Sequence, residues 1–121
     1  MTNSRRKGAE GERELSRILR GYGVEARRGQ QFCGANGDAD VVGLEGFHIE
    51  VKRVERGAGQ IHEWIHQSER DARDGEVPTV FHRKNREGWV VTMRLADWMN
   101  LIGRSNEAIE WDAEEIMRRE F

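Results

Sequence analysis

Asp38-Ala39-Asp40-Val41-Val42-Gly43-Leu44-Glu45-Gly46-Phe47-His48-Ile49-Glu50-Val51-Lys52 is the stretch that decides the reading of this chain. It holds two short runs rich in Val, Ile and Phe around a glycine-bounded turn, the pattern of a β-hairpin. Side chains alternate between faces along a strand. In the second run Phe47, Ile49 and Val51 therefore go to the core, and His48, Glu50 and Lys52 go to the other face. A two-residue loop would pair Leu44 with Phe47 and send Asp40 to the core face, away from Glu50. A three-residue loop, Leu44-Glu45-Gly46, favours a left-handed residue in last place, and Gly46 supplies it. That loop pairs Gly43 with Phe47 and sets Asp40 opposite Glu50, with Cβ atoms about 4.5–5.5 Å apart.

Two carboxylates that close repel each other unless a cation lies between them. Hard oxygen ligands with room for water suit Mg²⁺, with Mn²⁺ as a substitute. The expected ligands are Asp40, Glu50 and the peptide carbonyl of Val51. Lys52 cannot ligate a cation, but it can orient or deprotonate a water or offset charge on a phosphate. Asp38 shares the face of Asp40 but lies two residues further from Glu50, so it is the weaker candidate.

Upstream, a helix is expected over Gly8–Arg20, with Leu15, Ile18, Leu19 and Tyr22 on one apolar face and Glu12 at its edge. Gly21 and Gly23 end it. Val24–Arg28 reads as a short strand and Gly29–Gly37 as a loop. The hairpin strands are expected near Ala39–Gly43 and Phe47–Arg53. Downstream, a helix over Gln60–Arg73 buries Ile61, Trp64, Ile65, Ser68 and Ala72 and carries Gln60, Gln67 and Asp71 along one polar edge. Strands follow at Thr79–Arg83, opened by Pro78, and at Trp89–Met93. A short helix uses Leu95, Trp98, Met99 and Ile102. Ser105 reads as the N-cap of a last helix with Ile109, Ala113, Ile116 and Met117 on its apolar side. The order αβββαββαα predicts one α/β domain with a mixed sheet. The expected division is a basic arm over residues 1–7, the main domain over 8–104 and an acidic helix over 105–121.

The 121 residues allow one modest core. No apolar run reaches membrane-spanning length, and the polar, basic start carries no leader-like segment. A single Cys33 has no internal disulfide partner, which fits a reducing cytoplasm, that of a host if the gene is viral. The net charge of −2 conceals an asymmetry. Residues 1–30 carry eight Lys/Arg against four Glu, and residues 105–121 carry six acids against two Arg. Without that tail the charge is +2, compatible with nucleic-acid binding. Arg5, Arg6, Lys7, Arg27, Arg28 and Arg53 are candidates for phosphate contacts.

Asp40, nine further residues, then Glu50-Val51-Lys52 resembles the signature of the PD-(D/E)XK nuclease superfamily. More closely, the chain resembles small phage and prophage endonucleases related to archaeal Holliday-junction resolvases. Lys7-Gly8 and Gly11–Leu15 resemble that group's opening helix, and His48–Arg56 its central strand. Gln67–Ala72, Val80–Arg83 and Trp89–Met93 resemble its later elements. Ala39 departs from the usual Pro, which mainly stiffens entry to the strand. The resemblance implies a restriction-endonuclease-like mixed β-sheet core flanked by helices, and Mg²⁺-dependent hydrolysis of DNA. It also implies branched DNA as substrate and a homodimer. Asp40 and Glu50 would bind the metal, Lys52 would serve the attacking water, Glu12 would complete the shell and Gln67 would help orient the site. A non-catalytic DNA-binding module on the same fold is the alternative.

Three rival signals are weaker. His62-Glu63-Trp64-Ile65-His66 matches the zinc-protease pattern, but both histidines point away from the apolar stripe and no third ligand follows. Cys33 has no nearby His to activate it. His48 shares the Glu50 face and reads equally as a substrate contact or a surface residue.

Overall fold

The computed structural model describes residues 4–30, 39–55 and 60–105, with side chains described for 8–30, 39–55 and 60–103. In chain order the elements are α1 (Ser4–Gly21), β1 (Arg27–Arg28), β2 (Val41–Val42), β3 (Phe47–Val54), α2 (Ile61–Asp71), β4 (Val77–Lys84), β5 (Val90–Thr92) and α3 (Leu95–Ser105). The five strands form one mixed sheet in the order β1-β2-β3-β4-β5. Among the described strands only β3 and β4 run parallel, joined through α2. This is the mixed α/β sheet flanked by helices that the hairpin and the later periodicities imply.

Strand β3 lies between β2 and β4 and is covered on both faces. Ile49 and Val51 pack with Leu15 of α1, Ala26 and Val41 in one apolar cluster. On the opposite face Trp64 and Ile65 of α2 pack with Val80 of β4. Ile49 and Val80 are fully buried, each worth about 1.5–3 kcal/mol of hydrophobic stabilisation. Gly11 lets α1 lie close against β3, since a Cβ there would stand 2.7 Å from Arg53 Cγ. Below α2, Ser68 Oγ lies 3.3 Å from the carbonyls of both His48 and Thr79, and Thr79 Oγ1 donates to the His48 carbonyl at 3.0 Å. These fully buried hydroxyls fix α2 over β3 and β4.

Several boundaries differ from expectation. α1 starts at Ser4, so residues 4–7 are helical where the sequence suggests an arm; their Arg and Lys side chains suit a helix well. Tyr22 is 83 % exposed rather than part of the apolar face, because α1 ends at Gly21 and the chain turns. The strand expected over Val24–Arg28 is reduced to Arg27–Arg28. β4 includes Pro78 as its second residue, where the missing N–H costs nothing because pairing with β5 begins only at Val80. α3 runs to Ser105. The acidic helix expected over 105–121, with Ser105 as its cap, lies outside the described residues beyond that point, as do Cys33 and Asp38.

Candidate metal and nuclease centre

The hairpin register is the one a three-residue loop requires. Val41 pairs with Ile49, the pairing that such a loop sets, and the Asp40 and Glu50 carboxyls lie within hydrogen-bonding reach of each other. Gly46 takes φ +88°, the left-handed conformation expected at the end of the loop. Phe47 N–H closes the turn on the Leu44 carbonyl at 3.3 Å. Asp40 precedes β2 but is held like a strand residue. Its N–H donates to the Ile49 carbonyl at 3.0 Å, and its carbonyl accepts from Gly29 N–H at 2.9 Å.

Three acids converge on this point. Asp40 Oδ2 accepts the Val51 N–H at 2.8 Å. Burial pushes the Asp40 carboxyl up to about 7, helped by the negative charge of Glu50 and opposed by the Val51 N–H. A hydrogen bond from Asp40 to Glu50, with the proton on Asp40, adds to the rise. Burial also acts to raise Glu50, but hydrogen bonds from His48 and Asp40 outweigh it and hold Glu50 below the usual range. Glu12 of α1 is raised by burial against the pull of Arg28, and the charge of Glu50 contributes. Arg28 Nη2 lies 3.5 Å from Glu12 Oε1. Glu12, Asp40 and Glu50 thus feel one another's charge in a poorly hydrated space, an excess of negative charge that suits a divalent cation.

The other expected participants are placed as follows. Lys52 follows Glu50 on the same face of β3, and its Nζ donates to Gln67 Oε1 of α2 at 2.8 Å. The structure thereby brings together Glu12, Asp40, Glu50, Lys52 and Gln67. Arg27 and Arg28 are exposed on β1. Arg53 is half-buried on the α1 face and donates to Asn85 Oδ1 at 3.1 Å. Arg5, Arg6 and Lys7 belong to α1. His62 and His66 are exposed, as the protease pattern does not allow, and His66 lies 3.4 Å from Glu69.

His48 corrects the sequence reading. It is 5 % exposed, not a surface residue, and its Nε2 lies 2.9 Å from Glu50 Oε1. Burial would lower its pKa, but the hydrogen bond and charge of Glu50 prevail, with Glu76 and Asp71 adding to the rise. The polar face of β3 is closed by α2, which alternation along one strand cannot show; a histidine two residues before Glu50 was the available signal. A second arrangement had no local signal at all. Glu14 Oε1 accepts from Arg83 Nη1 at 2.6 Å and from Trp89 Nε1 at 2.8 Å, clasping α1 to β4 and the turn after it.

Over residues 3–119 the sequence matches the family described as "Phage putative PDDEXK endonuclease". The chain belongs to this family. No curated protein matches the sequence. As a PDDEXK-family chain it is of nuclease type, and divalent metal binding is in keeping with the donor atoms that His48, Glu50 and Asp71 bring together. Among the described residues no helix is long and apolar enough to cross a membrane.

Proposed function

We propose that this protein is a Mg²⁺-dependent DNA endonuclease whose centre is Asp40, Glu50 and Lys52. The observation that supports the proposal is the meeting of the Asp40 and Glu50 carboxyls near a lysine held by Gln67. Asp40, Glu50 and the Val51 carbonyl would hold the ion, with Glu12 completing its shell. Bound there, a divalent ion polarises a phosphoryl oxygen and acidifies a water. The protein's own groups do the rest. Asp40 is anchored by the Val51 N–H and Glu50 by His48, so neither carboxylate swings when substrate arrives. Lys52, steered by Gln67, stands beside Glu50 to orient the attacking water or to offset charge on the phosphate. Arg27 and Arg28 are exposed on the same edge of the sheet as β2, where a DNA backbone can lie against them, so affinity falls as salt rises.

The finer reading is cleavage of branched DNA by a homodimer in the cytoplasm. Two cuts on opposing strands call for two sites related by a two-fold axis. Val90, Val91, Leu95 and Trp98, all about half-exposed or more at the β5 edge and on α3, supply apolar surface for such a contact. The test is a cleavage panel of single-stranded, duplex, flap and four-way DNA with Mg²⁺, Mn²⁺ or chelator. Metal-dependent cutting, strongest on the four-way substrate, is expected. No cutting of any form with either metal would overturn the nuclease reading in favour of a DNA-binding module, and equal cutting of duplex and junction would remove the branched-DNA refinement.

A further inference from the structure

Glu50 also belongs to a second group of donor atoms. The imidazole of His48 and the carboxylates of Glu50 and Asp71 each present one atom within 4.8 Å of the others. We propose that these three residues form a second metal site, for a first-row transition-metal dication, distinct from the Asp40 site and sharing Glu50 with it.

Four observations converge. First, His48 Nε2 and Glu50 Oε1 lie 2.9 Å apart. Two adjacent ligand atoms on an octahedral ion, each at about 2.1 Å, are about 3.0 Å apart, so the ion can take the place of the proton between them with little movement. Second, the remaining ring nitrogen, His48 Nδ1, lies 3.7 Å from Glu76 Oε1. A carboxylate behind the second nitrogen is the usual support of a metal-bound histidine. Third, Asp71 is the last residue of α2. A carboxylate at the negative end of a helix is unfavourable in isolation, and a cation at that point relieves both. Fourth, an open cavity of about 300 Å³ reaches His48, Asp71 and Glu76 from outside, giving a path of entry and room for water ligands. Glu45 and Arg73 also line it, so three acids face a single arginine.

The donor set sets the metal class. An imidazole nitrogen favours transition metals over Mg²⁺, which prefers oxygen alone. Mn²⁺, the weakest binder of that series but paramagnetic, is the probe. Because Glu50 hydrogen-bonds to both His48 and Asp40, an ion at the new site fixes the carboxylate that the first site uses.

The experiment is Mn²⁺ binding to the full chain, by calorimetry and by pulsed electron paramagnetic resonance on protein labelled with ¹⁵N-histidine. Wild type and Asp40→Asn are expected to show histidine-nitrogen coupling to Mn²⁺, with affinity at least tenfold above that for Mg²⁺. Asp71→Asn, at an exposed position that does not threaten the fold, is expected to weaken this binding about tenfold or more, and His48→Asn to abolish the coupling. Absence of nitrogen coupling in wild type, or unchanged Mn²⁺ affinity in Asp71→Asn, would overturn the proposal. The outcome separates from the nuclease reading: coupling in a protein that cuts no DNA leaves this site standing, and Mg²⁺-dependent cutting without coupling leaves only the first.

Discussion

The two faces of β3 are buried to a similar depth with opposite chemistry. Toward α1, Ile49 and Val51 meet Leu15 and Val41, and burial is itself the stabilising force. Toward α2, His48 and Glu50 are 5 % and 4 % exposed, and burial there is a cost that hydrogen bonds must offset. The comparison teaches that the strand is divided by function. One face holds the fold together and the other stores charge that hydrogen bonds from His48 and Asp40 offset. Such storage is affordable because the apolar face of the same residues anchors the strand.

The largest expected effect that would break this comparison is on the charged face. Asp40→Asn and Glu50→Gln are expected to lower cleavage about 10³-fold or more, equivalent to roughly 4 kcal/mol, while the metal-free fold is kept or strengthened because the repulsion between two buried acids is removed. Cleavage assays beside thermal melts check this; a large loss of stability in both variants would show that the carboxylates hold the fold after all. Next comes the apolar face. Ile49→Ala is expected to cost about 2–5 kcal/mol in denaturant unfolding, with cleavage per folded molecule close to wild type.

A smaller effect sharpens the contrast through pH. The Asp40 carboxyl rises in the folded state from an ordinary 3.8 to about 7. The folded protein therefore holds this proton more tightly than the unfolded chain. Metal-free stability is greatest, as far as Asp40 is concerned, below about pH 4, and declines as pH climbs toward 7. Glu50, held low, works in the opposite sense as pH falls through its own range. Between about pH 4.5 and 7 Asp40 prevails, and the decline should be on the order of 1–3 kcal/mol. Melting curves across that range should slope downward in wild type and flatten in Asp40→Asn. The smallest effect is expected at Gln67→Ala, about tenfold in cleavage with stability almost unchanged, since it frees Lys52 Nζ without uncovering the core. A loss as large as that of Asp40→Asn would place Gln67 among the ligands instead.

The hairpin was legible because local chemistry alone determines it. Gly46 sets the loop length, the loop sets the pairing of Val41 with Ile49, and Asp40 then comes close to Glu50. The stripe Trp64, Ile65 and Ser68 was legible for the same kind of reason, a helical period on one face. What escaped depends on partners distant in sequence. Alternation left His48 on the polar face of β3 but could not say that α2 roofs that face. Tyr22 fitted the helical period of α1 and failed because the helix stops one residue short of it. The clasp at Glu14 joins residues about 70 positions apart, and neither periodicity nor spacing carries such information. The positions of Lys52 and Gln67, by contrast, met as the polar edge of α2 suggested.

That clasp bears on the order in which the molecule is made. Glu14 is synthesised early, yet its two donors, Arg83 and Trp89, lie 69 and 75 residues further along the chain. Contacts spanning so much sequence close late in folding, after the loop entropy has been met. The helix that carries Glu12 can dock first through Leu15 on Val41, Ile49 and Val51, and the distant clasp locks it in place afterwards.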